Sequence, residues 1–240
     1  MQRLVMSTPA AATEVRPRAV LFDAYGTLFD VYSVAALAEQ LFPGRGEALS
    51  ILWRDKQIEY TRLRTLSGHY KDFQAVTEDG LVYACARLGL DLDHAARSRL
   101  MAQYARLSAF PENLQALRDM KALGVPLAIL SNGTPGMLAL AVESAGMDGL
   151  FDHLLSVDTV RQYKTAAAAY QLGPDAFGHA PAELLFVSSN GWDACCASWF
   201  GYRTFWINRA GLPPEQLDVT PTHQGRKLSD VAELLRRQPA

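Results

Sequence analysis

The apolar positions of the chain follow two different periods. Ala19-Val20-Leu21-Phe22 is an unbroken apolar run that stops abruptly at Asp23-Ala24-Tyr25-Gly26-Thr27, the pattern of a strand buried on both faces that runs into a tight loop. The pattern returns four times: at 126–130 before Ser131-Asn132-Gly133, at 153–157 before Asp158, at 183–187 before Ser188-Ser189-Asn190-Gly191, and at 204–207 before Asn208. Between these runs the spacing becomes helical. Over 112–123, Leu114, Leu117, Met120 and Leu123 recur at intervals of three until Gly124 ends the pattern. Thr134-Pro135 opens a further helix, with a hydroxyl to cap it and a proline suited to its first turn. Strands alternating with helices predict an α/β fold, a doubly wound, mainly parallel, Rossmann-like sheet with helices on both faces.

The spacing is interrupted between the first strand and the second, where about a hundred residues carry no strand pattern, far more than one crossover helix needs. An insertion is therefore expected. Its segment 49–66 is strongly helical: Leu49, Leu52, Trp53, Tyr60 and Leu63 share one broad apolar face, with Ile51, Arg54 and Ile58 nearly opposite, so this helix is expected to be covered on two sides. Further helices are expected at 73–88 and 95–107. The domain reading is a loose tail over 1–17, an α/β core over 18–29 and 111–240, and a helical cap over 30–110. Sheets of this kind bind ligands beyond the carboxyl ends of their strands, the place such a cap would cover.

Composition narrows the function classes. With 49% apolar and 20% charged residues in 240, the chain reads as globular, neither disordered nor a membrane bundle. The balance of 23 Lys and Arg against 25 Asp and Glu, a net charge of −2, offers no global field for nucleic acid or an anionic membrane. Apolar runs such as 127–130 and 184–187 fall far short of the roughly 20 residues of a membrane span, and the apolar stretch 4–6 is too short for a signal-peptide core. Cys85, Cys195 and Cys196 have no metal-ligand spacing and no pairing framework, which points to a reducing cytoplasm. None adjoins a histidine, and His69, His94, His153, His179 and His223 match no motif, so all eight read as structural or surface residues.

The candidate chemistry gathers at the strand ends, which carry Asp23 and Thr27, Ser131 and Asn132, Asp158, then Ser188, Asn190 and Asp193, and finally Asn208. A carboxylate just past a buried strand can be held ionised by the amides of the Tyr25-Gly26-Thr27 turn and act as a nucleophile; an aspartate in this place serves equally as a cap for the next helix. Asp30, Asp158 and Asn208 read as loop caps.

Taken in order, Asp23-Ala24-Tyr25-Gly26-Thr27, Ser131-Asn132-Gly133, Lys164 and Ser188-Ser189-Asn190-Gly191-Trp192-Asp193 resemble the haloacid dehalogenase superfamily. The segment Trp53-Arg54-Asp55-Lys56-Gln57-Ile58-Glu59-Tyr60 narrows the resemblance to the L-2-haloacid dehalogenase branch, over residues 18–235. One position separates this branch from the superfamily's phosphatases, which carry a second aspartate two residues after the nucleophile and work beside magnesium. Here it is Tyr25, a phenol with an ordinary pKa near 10. Halide needs no proton to leave, and Asp23 and Asp193 are few acids for a near-octahedral magnesium site. The resemblance therefore implies no metal and no cofactor, with Lys164 supplying the positive charge.

The reaction implied is hydrolytic dehalogenation of short-chain (S)-2-haloalkanoic acids to (R)-2-hydroxy acids through an aspartyl ester on Asp23, with haloacetates and fluoroacetate within the class. In this reading Lys164 orients Asp23; Asp193 pairs with Lys164 and helps activate water; Thr27, Ser188 and Asn190 hold the carboxylates; and Arg54, with Asn132 beside it, receives the halide. Ser131 and the amides around Tyr25 and Asn132 take the substrate carboxylate. Tyr170 supports Lys164 or Ser188, and Ile58, Phe73 and Trp192 line the path of the carbon chain. The family commonly has proline after the lysine, where this chain has Thr165, which leaves the reach of Tyr170 open. The partners implied are a haloacid, halide and a second copy of the chain. A magnesium-dependent phosphatase or phosphonatase of the same fold, and a non-catalytic binding protein, are the competing readings.

Overall fold

The computed structural model describes residues 15–239; most of the expected tail, 1–14, lies outside the described residues. Residues 15–17 of that stretch are not loose: the Arg16 guanidinium donates to the carbonyls of Leu123, Leu235 and Gln238, closing the base of the fold.

Six strands, β1 (Ala19–Phe22), β2 (Leu127–Ser131), β3 (His153–Ser156), β4 (Leu184–Ser188), β5 (Arg203–Ile207) and β6 (His223–Gly225), form one sheet in the order β3-β2-β1-β4-β5-β6. Every pairing is parallel. β1 sits centrally, with Val20 opposite Leu127 on one side and Leu185 on the other. Its side chains alternate: Val20 and Phe22 join the larger hydrophobic cluster, while Ala19 and Leu21 join a second cluster with Tyr170, Phe186, Ala197 and Tyr202. Helices α5 (Asn113–Ala122), α6 (Pro135–Ser144) and α9 (Leu228–Arg237) contribute to the first, and α7 (Ala167–Phe177) and α8 (Gly191–Phe200) to the second. A sheet buried on both faces requires continuous apolar strands, and the strand runs show that pattern. β3 departs from it: at the sheet edge, His153 and Leu154 are exposed, so this strand is not doubly buried.

The insertion contains four helices, α1 (Ala35–Leu41), α2 (Gly46–Ser67), α3 (Phe73–Leu88) and α4 (His94–Tyr104). Asp72 and Asp93 cap α3 and α4 by accepting from the amides of Ala75 and Ala96. The chain enters and leaves this cap side by side, with Asp30 N donating to Ser108 O and Phe110 N to Leu28 O. The cap's interior residues Leu49, Trp53, Phe73, Val76, Leu100 and Tyr104 belong to the same cluster as the sheet's first face, so cap and core are packed together. α2 is not covered on two sides as its periodicity suggested. Ile51 and Leu63 are exposed, because the buried residues Leu49, Ser50, Trp53, Arg54, Gln57 and Thr61 form one continuous stripe, with Arg54 at its edge reaching Tyr25 O.

Candidate active site

β1 delivers Asp23 to the centre of the strand ends, 7% exposed, with its amide bonded to Val187 O of β4. The turn that follows needs Gly26 at φ 96°, a left-handed conformation that glycine tolerates. Its amides do not reach the carboxylate: Gly26 N donates to Phe29 O and Thr27 N to Ala24 O. Side chains hold it instead. Asp23 Oδ2 accepts from Thr27 Oγ1 and Asn190 Nδ2, both at 2.9 Å, and Oδ1 accepts from Lys164 Nζ at 3.0 Å. Thr27 Oγ1 itself accepts from Ser189 N at 2.8 Å, which directs its own proton toward Asp23.

Lys164 Nζ also donates to Asp193 Oδ2 at 3.1 Å and lies 4.8 Å from the centre of the Phe186 ring. Asp193, fully buried in the first turn of α8, accepts at Oδ1 from the Tyr170 hydroxyl at 2.7 Å. The result is a buried row of Tyr170, Asp193, Lys164 and Asp23. Buried charges persist only when paired, and the shifts follow from that. Burial would lower the Lys164 ammonium, but Asp193 and Asp23 outweigh it and hold the group above the usual lysine range. Burial raises Asp193, with the nearby Asp23 charge adding to the rise and Lys164 and the Tyr170 hydroxyl opposing it. Burial, then Asp193, raises Tyr170, so its phenol stays a proton donor.

The β2 end supplies Ser131 and Asn132. Ser131 Oγ accepts from Gly133 N, and Asn132 Oδ1 accepts from Lys164 N at 3.0 Å, which leaves the Asn132 amide nitrogen as a donor. The β4 end supplies Ser188, whose hydroxyl accepts from Asn190 N at 3.1 Å rather than touching Asp23 or Lys164. Ser188 therefore shapes the loop that carries Asn190. Tyr170 likewise bonds neither Lys164 nor Ser188 but Asp193, across α7 and α8.

From the cap, Arg54 Nη2 donates to Tyr25 O at 3.0 Å, and Asn190 Nδ2 approaches the same carbonyl at 3.3 Å. The guanidinium is thus one shared acceptor away from the amide that holds Asp23. Tyr25 turns its ring into the wall, 5.2 Å from Phe73 and 5.8 Å from Tyr104 between ring centres, and burial raises its phenol well above the usual range, so it remains neutral. Two clefts meet at Arg54 and Asn190. One, about 500 Å³, is walled by Ile58, Trp192, Asp55 and Arg62; the other, about 310 Å³, by Gly26, Phe110, Ser189 and Leu212. Phe73 lines neither. It is buried between Tyr25 and Tyr163 and backs the site rather than facing it.

The sequence reading did not single out Ser189, Gln57 or Tyr104. Ser189 was visible only as a member of the 188–193 motif, Gln57 only as a member of the 53–60 segment, and Tyr104 only as part of the helix expected at 95–107. Among the described residues no group of three or more His, Cys, Asp or Glu could hold a metal ion, and an ammonium occupies the place between the two buried carboxylates. Burial pushes the Cys85 and Cys196 thiols up to about 11, which makes poor nucleophiles of both.

Residues 17–201 match the family model described as haloacid dehalogenase-like hydrolase. The chain is 48% identical over 217 residues to an (S)-2-haloacid dehalogenase of Pseudomonas sp. (strain YL), covering 90% of this chain and 94% of that protein. Its fold superimposes on the crystal structure of the L-2-haloacid dehalogenase RSc1362 with a TM-score of 0.90 at 63% identity, over 93% of this chain and all of the other (100%). It superimposes on the L-2-haloacid dehalogenase from Xanthobacter autotrophicus with chloropropionic acid covalently bound at a TM-score of 0.86 and 37% identity, over 92% and 98% of the two chains.

Proposed function

The chain belongs to the haloacid dehalogenase-like hydrolases, and from that premise we propose that it is a metal-independent (S)-2-haloacid dehalogenase with Asp23 as nucleophile. The observation that carries the reading is the Asp23 carboxylate, with two donors on Oδ2 and only Lys164 on Oδ1. Oδ1 keeps a lone pair. It attacks the carbon that bears the halogen; the carbon–oxygen bond forms as the carbon–halogen bond breaks, with inversion, and halide leaves with the bonding electrons.

Arg54 meets that developing negative charge together with the Asn132 amide, so the stabilisation grows as halide departs. Ser131 and the adjacent amides hold the substrate carboxylate. Water then adds to the Asp23 carbonyl carbon and Asp193 takes one of its protons; as the bond between Asp23 Cγ and the substrate oxygen breaks, that proton passes to the departing oxygen to release the (R)-2-hydroxy acid, and Asp23 returns to its carboxylate by losing the other proton to solvent. Net, haloacid and water give hydroxy acid, halide and a proton. Ile58 and Trp192 form the apolar side of the approach, against which the carbon chain of a 2-haloacid would lie, and the proposed substrate class is short-chain 2-haloalkanoic acids with haloacetates and fluoroacetate included.

The protein is further taken to act as a homodimer in the cytoplasm. Exposed apolar residues on the cap, Leu66, Val82 and Tyr83, support an association surface, and sedimentation tests it. Among the described residues no helix is long and apolar enough to cross a membrane.

The test is halide release from the separate enantiomers of 2-chloropropionate in the presence of EDTA. The expected result is chloride and (R)-lactate from the S form alone, with Asp23→Asn slower by about 10⁴-fold or more, as for loss of a nucleophile. Phosphate release from esters that requires magnesium, with no halide from either enantiomer, would replace this reading with the phosphatase one.

A further inference from the structure

Three helices of the cap send polar groups to one buried side chain, Gln57 of α2, which is 0% exposed. An amide sunk in an apolar interior is costly unless its partners are complete, and here they are assigned. Thr77 Oγ1 on α3 donates to Phe73 O at 2.6 Å, so that hydroxyl can only accept from Gln57 Nε2, also at 2.6 Å. The amide orientation is thereby fixed, and Oε1 must face the other way. There it accepts from Arg54 Nη1 at 2.7 Å and from the Tyr104 hydroxyl of α4 at 3.0 Å. Arg54 is in turn the cap residue that crosses to Tyr25 O at the mouth of the site.

We propose that Gln57 is a positioning residue for halide departure, fixing the Arg54 guanidinium against the Tyr25 carbonyl through a neutral acceptor; this rests on the dehalogenase reading above. Neutrality is the point. A carboxylate at position 57 would orient Arg54 equally well but would cancel the charge that must meet the halide, whereas an amide oxygen fixes one N–H and leaves the full charge directed at the cleft. The i to i+3 spacing on α2 places the two side chains on one helix face, and the Thr77 and Tyr104 bonds tie that pair to α3 and α4, so Arg54 does not have to be ordered anew in each turnover.

A double-mutant cycle of Gln57→Leu with Arg54→Lys tests it, with chloride release from (S)-2-chloropropionate and product inhibition by bromide as readouts. Gln57→Leu is expected to lower kcat/KM and weaken bromide inhibition by roughly 10- to 100-fold, the factor a hydrogen bond to a charged group commands. The double variant is expected to be no worse than Arg54→Lys alone. Gln57→Glu, which keeps size and shape, is expected to weaken bromide inhibition in the same direction, and it replaces the leucine variant in the cycle if that one does not fold. Additive losses in the cycle, or wild-type bromide inhibition in Gln57→Glu, would overturn the role of Gln57 while leaving the dehalogenase reading intact. A wild-type protein that releases no halide would overturn both.

Discussion

The Tyr170 hydroxyl donates to Asp193 Oδ1 at 2.7 Å and approaches the Asp193 carbonyl at 3.4 Å; burial raises the Asp193 pKa, and the bond to Oδ1 joins the stronger pull of Lys164 in opposing that rise. Removing that bond in Tyr170→Phe leaves burial and the Asp23 charge less opposed, so the Asp193 pKa rises further. A step that needs the carboxylate then loses rate from the acid side. The expected outcome is an acid limb of kcat displaced to higher pH and a fall of about tenfold near neutrality, the order of one charged hydrogen bond, read from pH profiles of halide release. An unmoved acid limb would separate Asp193 from the rate. At alkaline pH it is stability that responds: Lys164 is raised, so its contribution to stability is complete below the ordinary lysine range near 10.4 and is lost only as pH rises through the higher folded value.

Much of this row was legible in the sequence. Asp23, Lys164 and Asp193 stand in motifs whose chemistry needs those residue types. What was not legible is which atom bonds which. Whether Tyr170 reaches Asp193, Lys164 or Ser188 depends on how α7 leaves Lys164, and no pattern of residue types encodes that angle. The role of Gln57 was not legible for a related reason: although it stands in the 53–60 segment, a glutamine in a helix usually faces solvent, and only the packing of three helices turns this one inward.

Among the elements at the site, β2 and its following loop are held from several sides. Gly133 N donates to Ser131 Oγ and its carbonyl accepts from the Ser156 hydroxyl, so the loop cannot shift. A methyl group on Gly133 would lie 2.8 Å from Tyr25 Cε2 and 3.0 Å from its hydroxyl. Tyr25 cannot retreat, since Phe73 and Tyr104 pack behind it. Gly133→Ala is therefore expected to cost about 1–3 kcal/mol by overpacking, measured by denaturant melts, and to raise KM, because the Tyr25 carbonyl receives both Arg54 and Asn190. A variant as stable and active as the parent would show that the wall yields. Five strands and the helices at 49–66, 73–88, 95–107, 112–123 and after Thr134 could be read from periodicity; α1, at seven residues, and β6, whose His223-Gln224-Gly225 carries no apolar run, could not. A short edge strand draws its stability from pairing with β5, a contact distant in sequence.

For the molecule as a whole, the arrangement is a division of labour between layers. On the proposed reaction, the sheet holds the nucleophile and its counter-charge at fixed strand ends, and the cap, packed into the same hydrophobic cluster, contributes Arg54 to meet the leaving group. That reaction needs both parts assembled, and it predicts that the oxygen reaching the product comes from Asp23 and not directly from solvent. A single turnover of (S)-2-chloropropionate in H₂¹⁸O, with protein in excess over substrate, tests this most directly by mass spectrometry of the lactate and of the peptide containing Asp23. The expected result is unlabelled lactate and one ¹⁸O incorporated at Asp23. Labelled lactate with an unlabelled Asp23 in that first turnover would mean that water attacks the substrate carbon itself, and Asp23 would lose its place as the nucleophile.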